Sequence, residues 1–166
     1  MELYRPGTTR VKWTNYTVGR FFVTICTHEK RHHFGTITNG EMHLSEIGKF
    51  LDEQIKCTTS LRDGKNVQIP IYTIMPNHVH MIVCIGHNNV ATSNNNAFKP
   101  QTNNLASIVR GIKSSVTSYC KNNNIDFAWQ PRYYDIIIQT DIEYHDIAKY
   151  IGNNVLNWSL GKGEDF

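Results

Sequence analysis

Apolar positions along this chain fall into short runs at two different periods. Phe21-Phe22-Val23-Thr24-Ile25-Cys26-Thr27 is almost continuously apolar between polar flanks and predicts a first strand. A basic loop, His28-Glu29-Lys30-Arg31-His32-His33, follows it. Gly35 to Leu44 then reads as a small hairpin turning at Asn39-Gly40. Ser45 takes the N-cap position of a helix whose apolar stripe is Ile47, Phe50, Leu51 and Ile55. Val67 to Met75 is extended, and Pro70 predicts an interruption or an exposed edge there. The chain turns at Pro76-Asn77 and returns as a strand beginning at His78. A second helix places Leu105, Ile108, Val109, Ile112, Val116 and Tyr119 inward and Arg110 and Lys113 outward. Ile136-Ile137-Ile138 marks a last long strand. Thr140 with Glu143 then fits a capping box that opens a final helix carrying Ile147, Tyr150 and Ile151. The order of strand, hairpin, helix, two strands, helix, strand and helix predicts an α+β fold, one antiparallel sheet with helices packed on it.

Composition narrows this picture. At 166 residues a single domain spanning 1–166 is expected, and 40% hydrophobic with 19% charged residues argues against disorder. Residues 87–104 are polar and Asn-rich and predict a mobile loop. The net charge of +3 is compatible with a polyanionic partner without demanding one. Cys26, Cys57, Cys84 and Cys120 form no CxxC pair, so neither a disulfide framework nor a zinc knuckle is indicated. The N-terminus lacks an apolar signal core, and no run approaches membrane-spanning length; a cytoplasmic location and no membrane partner are expected.

The candidate chemistry centres on Met75-Pro76-Asn77-His78-Val79-His80. Alternate residues of a strand share a face, so His78 and His80 point one way and Val79 points into the core. Two imidazoles side by side on a rigid strand can grip a divalent metal ion. Far downstream, Tyr150 and Asn154 are four residues apart, which on a helix is one face. A metal pair with a phenol points to phosphoryl chemistry with a tyrosine nucleophile. A free phenol titrates near about 10 and needs a metal or a base to attack phosphate. A helical tyrosine between Ile147 and Ile151 can also serve packing, and Tyr133, Tyr134 and Tyr144 compete for the role. Asn154 can supply an oxygen ligand or cap a helix end. Arg10, Lys12, Arg20, Arg110, Lys113 and Arg132, with Trp13 and Trp129, are candidates for tracking a phosphate backbone and stacking unpaired bases.

Taken together these residues resemble the HUH single-tyrosine transposases, and more closely the REP-associated tyrosine transposases and the IS200-like transposase domain. The resemblance is carried by His78-Val79-His80 with Met75-Pro76-Asn77 before it, by Trp129-Gln130-Pro131-Arg132-Tyr133-Tyr134-Asp135, and by Tyr150-Ile151-Gly152-Asn153-Asn154. Phe22 to Thr27, Phe34-Gly35, Gly40-Glu41-Met42 and Gly48-Lys49 extend it over nearly the whole chain. It implies a ferredoxin-like (RRM-like) domain that binds single-stranded DNA or DNA hairpins. It implies Mg²⁺ or Mn²⁺ held by His78 and His80, with Asn154 as a third ligand. Tyr150 would be the nucleophile, leaving a 3′-hydroxyl and holding the 5′ end as a phosphotyrosine. Both a homodimer and a monomer occur within what is implied. Val155 stands where many members have proline, and Asn154 where the insertion-sequence branch has glutamine, which favours the REP-associated branch. Two rivals remain: a non-cleaving hairpin-binding module, and a metal-dependent nucleotide hydrolase. Histidine-triad hydrolases place another histidine two residues on, where this chain has Ile82.

Overall fold

The computed structural model describes residues 16–61, 66–86 and 104–161. Arg10, Lys12 and Trp13, and residues 87–103 of the Asn-rich stretch, lie outside the described residues. The elements are β1 (Gly19–Cys26), a 3-10 turn (His28–Lys30), β2 (Gly35–Thr38), β3 (Glu41–Leu44), α1 (Glu46–Leu61), β4 (Val67–Ile74), β5 (His78–Ile85), α2 (Leu105–Asn122), β6 (Tyr134–Ile138), α3 (Asp141–Gly152) and α4 (Asn154–Ser159). Four strands form an antiparallel sheet in the order β4-β5-β1-β6, and β2 pairs with β3 as a separate hairpin. With that hairpin set aside, the chain runs β-α-β-β-α-β, the ferredoxin-like arrangement that the resemblance implied.

The sheet is covered on both faces. Phe21, Val23 and Ile25 of β1 and Val79, Met81, Val83 and Ile85 of β5 join the larger core with Ile47, Leu51 and Ile55 of α1 and Ile108, Ile112 and Val116 of α2. Phe22, Ile82 and Ile138 face the other way, onto Ile147 and Ile151 of α3. This explains why β1 and β5 read as continuous apolar runs: central strands buried on both sides have no polar face to alternate with. β4 is the edge strand that Pro70 predicted, and its register shifts between Gln68 and Ile71, so the interruption is present too.

Local chemistry sets the boundaries. The Ser45 hydroxyl accepts the Gly48 amide at 3.1 Å and caps α1. Gly48 is required because a Cβ there would collide with the carbonyl oxygen of Phe34. The Thr140–Glu143 capping box forms as expected and starts α3. α3 stops at Gly152, however, and the chain continues as the separate six-residue α4. Asn153, at φ −91° and ψ 1°, sits in the break. No described helix is long and apolar enough to cross a membrane.

Candidate metal centre and tyrosine

His78 and His80 open β5 on the sheet face that meets α3, while Val79 between them is buried in the larger core. Cross-strand register puts Cys26 beside His78, and Thr24 and Thr73 on either side of His80. The two rings lie 4.5 Å apart, centroid to centroid, and both are buried. Each Nδ1 is taken by a neighbouring oxygen: Asn77 Oδ1 lies 2.6 Å from His78 Nδ1, and Thr24 Oγ1 lies 2.8 Å from His80 Nδ1. The amide oxygen of Asn77 can only accept, so it favours the His78 tautomer with its proton on Nδ1 and the lone pair on Nε2, while the Thr24 hydroxyl, able to donate or accept, holds the His80 ring at Nδ1. The Met75-Pro76-Asn77 turn is fixed in its own right. The Met75 amide donates to His78 O at 2.8 Å, the Phe34 amide to Pro76 O at 3.0 Å and the Thr27 amide to Asn77 O at 2.9 Å.

Burial also sets the charge of the pair. Desolvation, helped by the positive charge of Lys30, pushes His78 down to about 4. Desolvation and the neighbouring His78 hold His80 well below the ordinary imidazole value. Both rings are therefore neutral at physiological pH, the form that binds metal.

Tyr150 and Asn154 reach the same place from the helical side. Tyr150 Oη lies 3.5 Å from His80 Nε2, with the phenol ring 5.4 Å from the imidazole and edge-on to Phe22 at 6.1 Å. Burial pushes the Tyr150 phenol up to about 12, against a hydrogen bond with Asn154 that works in the opposite direction. Asn154 is 2% exposed, and its Oδ1 is enclosed with no hydrogen-bond partner among the described residues. One unbroken helix was expected to present both residues; the break at Asn153 puts them on α3 and α4 instead. They still meet: Asn154 is buried and its side chain hydrogen-bonds Tyr150.

The donor set fits a divalent cation. It consists of two neutral imidazoles and an amide oxygen that is buried and unsatisfied, a costly arrangement unless something binds it. Among the described residues no cluster of three His, Cys, Asp or Glu side chains forms a site, so any further ligands would be oxygens of other kinds.

The other candidates scatter. Tyr134 is 37% exposed on β6, and Tyr133 packs against the larger core on the far side of the sheet. Tyr144 lies under the guanidinium of Arg20, 5.5 Å from ring centroid to charge, so none of the three replaces Tyr150 beside the pair. Arg20 is committed to Asp141 at 2.6 Å. Arg110 is exposed on α2, across the sheet from the histidines. Lys113 was expected to point outward, but it is part-buried and its ammonium donates to the carbonyls of Gln130 at 2.8 Å and Arg132 at 2.9 Å. Those bonds, and Trp129 Nε1 donating to Lys113 O at 3.1 Å, clamp the 129–132 loop to α2. Arg132 is exposed on that loop with a left-handed backbone, φ 68°. Sequence reasoning missed Thr24 and Trp158. Thr24 was detectable as the polar residue inside an apolar run; Trp158, whose ring lies 6.0 Å from that of His78, carried no signal.

No protein-family model matches the chain. The structure of a REP-associated tyrosine transposase bound to a REP hairpin shares the fold, with a TM-score of 0.60 at 20% identity, covering 91% of this chain and 74% of that one. An uncharacterized protein of Haemophilus influenzae (strain Rd) is 35% identical over 160 residues, 90% of this chain and 87% of that protein. At that identity and coverage, the chain belongs to the same protein family as the Haemophilus influenzae protein.

Proposed function

We propose that this protein is a metal-dependent enzyme that nicks and joins single-stranded DNA, of the REP-associated tyrosine transposase type. The observation that carries the reading is Tyr150 Oη lying 3.5 Å from Nε2 of His80, one of two adjoining buried histidines. The fold shared with a transposase that was solved on a DNA hairpin supports it, as do the ordered motifs around His78, Trp129 and Tyr150.

His78 Nε2, His80 Nε2 and Asn154 Oδ1 would hold Mg²⁺ or Mn²⁺. Bound there, the ion would polarise the scissile phosphate and template its approach. The remaining chemistry belongs to the chain. Phe22, His80 and Asn154 orient the phenol of Tyr150 and keep water away from its inner side. The phenolic oxygen bonds to phosphorus and the bond from phosphorus to the 3′-oxygen breaks. The 5′ end stays on the protein as a phosphotyrosine, and the 3′-oxygen leaves as a hydroxyl, taking up the proton that the phenol gives up. Joining is the same step reversed with a different 3′-hydroxyl. A tyrosine pushed up to about 12 holds its proton at rest, so attack is coupled to the arrival of the phosphate rather than to a standing phenolate.

Covalent capture tests this. Wild-type protein and Tyr150→Phe are incubated with labelled single-stranded hairpin DNA from the gene's flanks, with Mn²⁺ or with chelator. A metal-dependent, denaturation-resistant adduct that Tyr150→Phe loses is the expected result. An adduct surviving in Tyr150→Phe would move the nucleophile elsewhere. Tight binding without an adduct under any metal would replace this reading with a non-cleaving hairpin-binding module.

A further inference from the structure

Trp158 touches the site but has no part in holding a metal or attacking phosphate. It lies four residues after Asn154, so α4 presents both on one face. Asn154 is driven fully into the protein, whereas the indole is only part-buried. One flank of the indole meets the His78 ring, 6.0 Å between centroids with the planes at 43°. Another meets His32, from the basic loop after β1, edge-on at 5.7 Å and 62°. His32 is exposed, so the indole is wedged between a buried imidazole of the metal pair and an imidazole at the surface.

We propose that Trp158, steadied by His32, is a stacking platform for an unpaired DNA base next to the phosphate that Tyr150 would attack. The inference rests on the reading of the site given above. A base hangs one sugar away from its phosphate. A phosphate placed beside Tyr150 and the histidine site therefore brings a neighbouring base within reach of an indole that abuts His78. In duplex DNA that base is stacked and paired; in a single strand its face is free, and covering it with an aromatic ring stabilises the complex whichever base it is. The platform thus selects for unpaired DNA and fixes the strand's lie across the phosphate without reading sequence. The imidazole of His32 holds the indole from the outside, so the ring is ready before DNA arrives.

The test is an abasic scan. Full-length protein is titrated with a labelled single-stranded oligonucleotide, read by anisotropy, and with versions lacking one base at each position in turn. Trp158→Ala is expected to weaken binding of the intact strand on the order of tenfold. Removing one particular base should weaken wild-type binding by a similar factor, and should cost Trp158→Ala nothing further. Trp158→Phe should keep most of the affinity and Trp158→Leu should lose it, which covers the case in which the alanine variant does not fold. If Leu binds like Phe, or if the abasic and Trp158 losses simply multiply, the platform is wrong while the DNA reading stands. If wild-type protein binds no single-stranded DNA, the functional reading fails and the platform fails with it.

Discussion

His80 depends on its neighbours for its position and its neutral form. Its ring is buried among Phe22, His78 and Tyr150, and its Nδ1 meets the hydroxyl of Thr24 on the adjacent strand. Thr24 is itself 2% exposed, so valine can take its place with little change in volume and only the hydroxyl is lost. Thr24→Val should weaken Mn²⁺ binding by about 10- to 100-fold by calorimetry, because His80 loses the hydroxyl that holds its ring at Nδ1. Thr24→Ser should stay near wild type, and equal affinities for the Val and Ser variants would remove Thr24 from this role. The part of the site legible in the sequence was the part that strand periodicity alone decides. His78 and His80 share a face whatever the rest of the fold does, and that expectation held. The Thr24 contact required the register between β1 and β5, which joins positions 56 residues apart and is invisible to local pattern.

At the scale of elements, α3 carries Tyr150 and is tied down at its start by side chains. The capping box at Thr140 and Glu143 satisfies its first amides, and Arg20 of β1 reaches Asp141 in its first turn. Thr140→Ala should lower stability by about 1 kcal/mol, measured by urea denaturation. No change would mean that α3 is set by packing alone. This helix start was readable because a capping box is local; its end was not, because Gly152 and Asn153 leave a helix free to continue or to turn. The join between α1 and β4 gives a pH dependence. Burial works to raise the pKa of Asp52, but hydrogen bonds from Lys56 and Tyr72 outweigh it and hold the carboxyl below its usual 3.8. A carboxylate whose pKa is lower folded than unfolded adds stability above the unfolded value and loses it as pH falls through the folded one. Wild type should therefore exceed Asp52→Asn in denaturation midpoint at pH 7, and the gap should close below about pH 4. A gap that persists unchanged at pH 3 would mean that the asparagine costs packing rather than charge.

For the whole molecule, the two faces of the sheet are unequal, and the site lies on the weaker one. Among the described residues the core under α1 and α2 holds 20 buried residues, while that under α3 holds five. β1 and β5 contribute to both, so the strand bearing the histidines belongs to the most stable part of the fold and the helix bearing Tyr150 to a thin outer layer. That inequality was hidden in the sequence: an uninterrupted apolar strand shows that both faces are buried but not how deeply each is covered. Local stability follows buried apolar contact, so α3 should open before the sheet does. Native-state hydrogen exchange should find the α3 amides exchanging through local opening, well below the global unfolding free energy that governs β1 and β5. Ile151→Ala, which removes a side chain 1% exposed in the smaller core, should speed exchange throughout α3 and leave the β5 amides near their wild-type rates. On the proposed function it should also reduce covalent capture while Mn²⁺ binding through the histidines persists, because the histidine pair on β5 does not depend on α3. If β5 and α3 instead exchange together in both proteins, the molecule unfolds as one unit and α3 has no independent freedom.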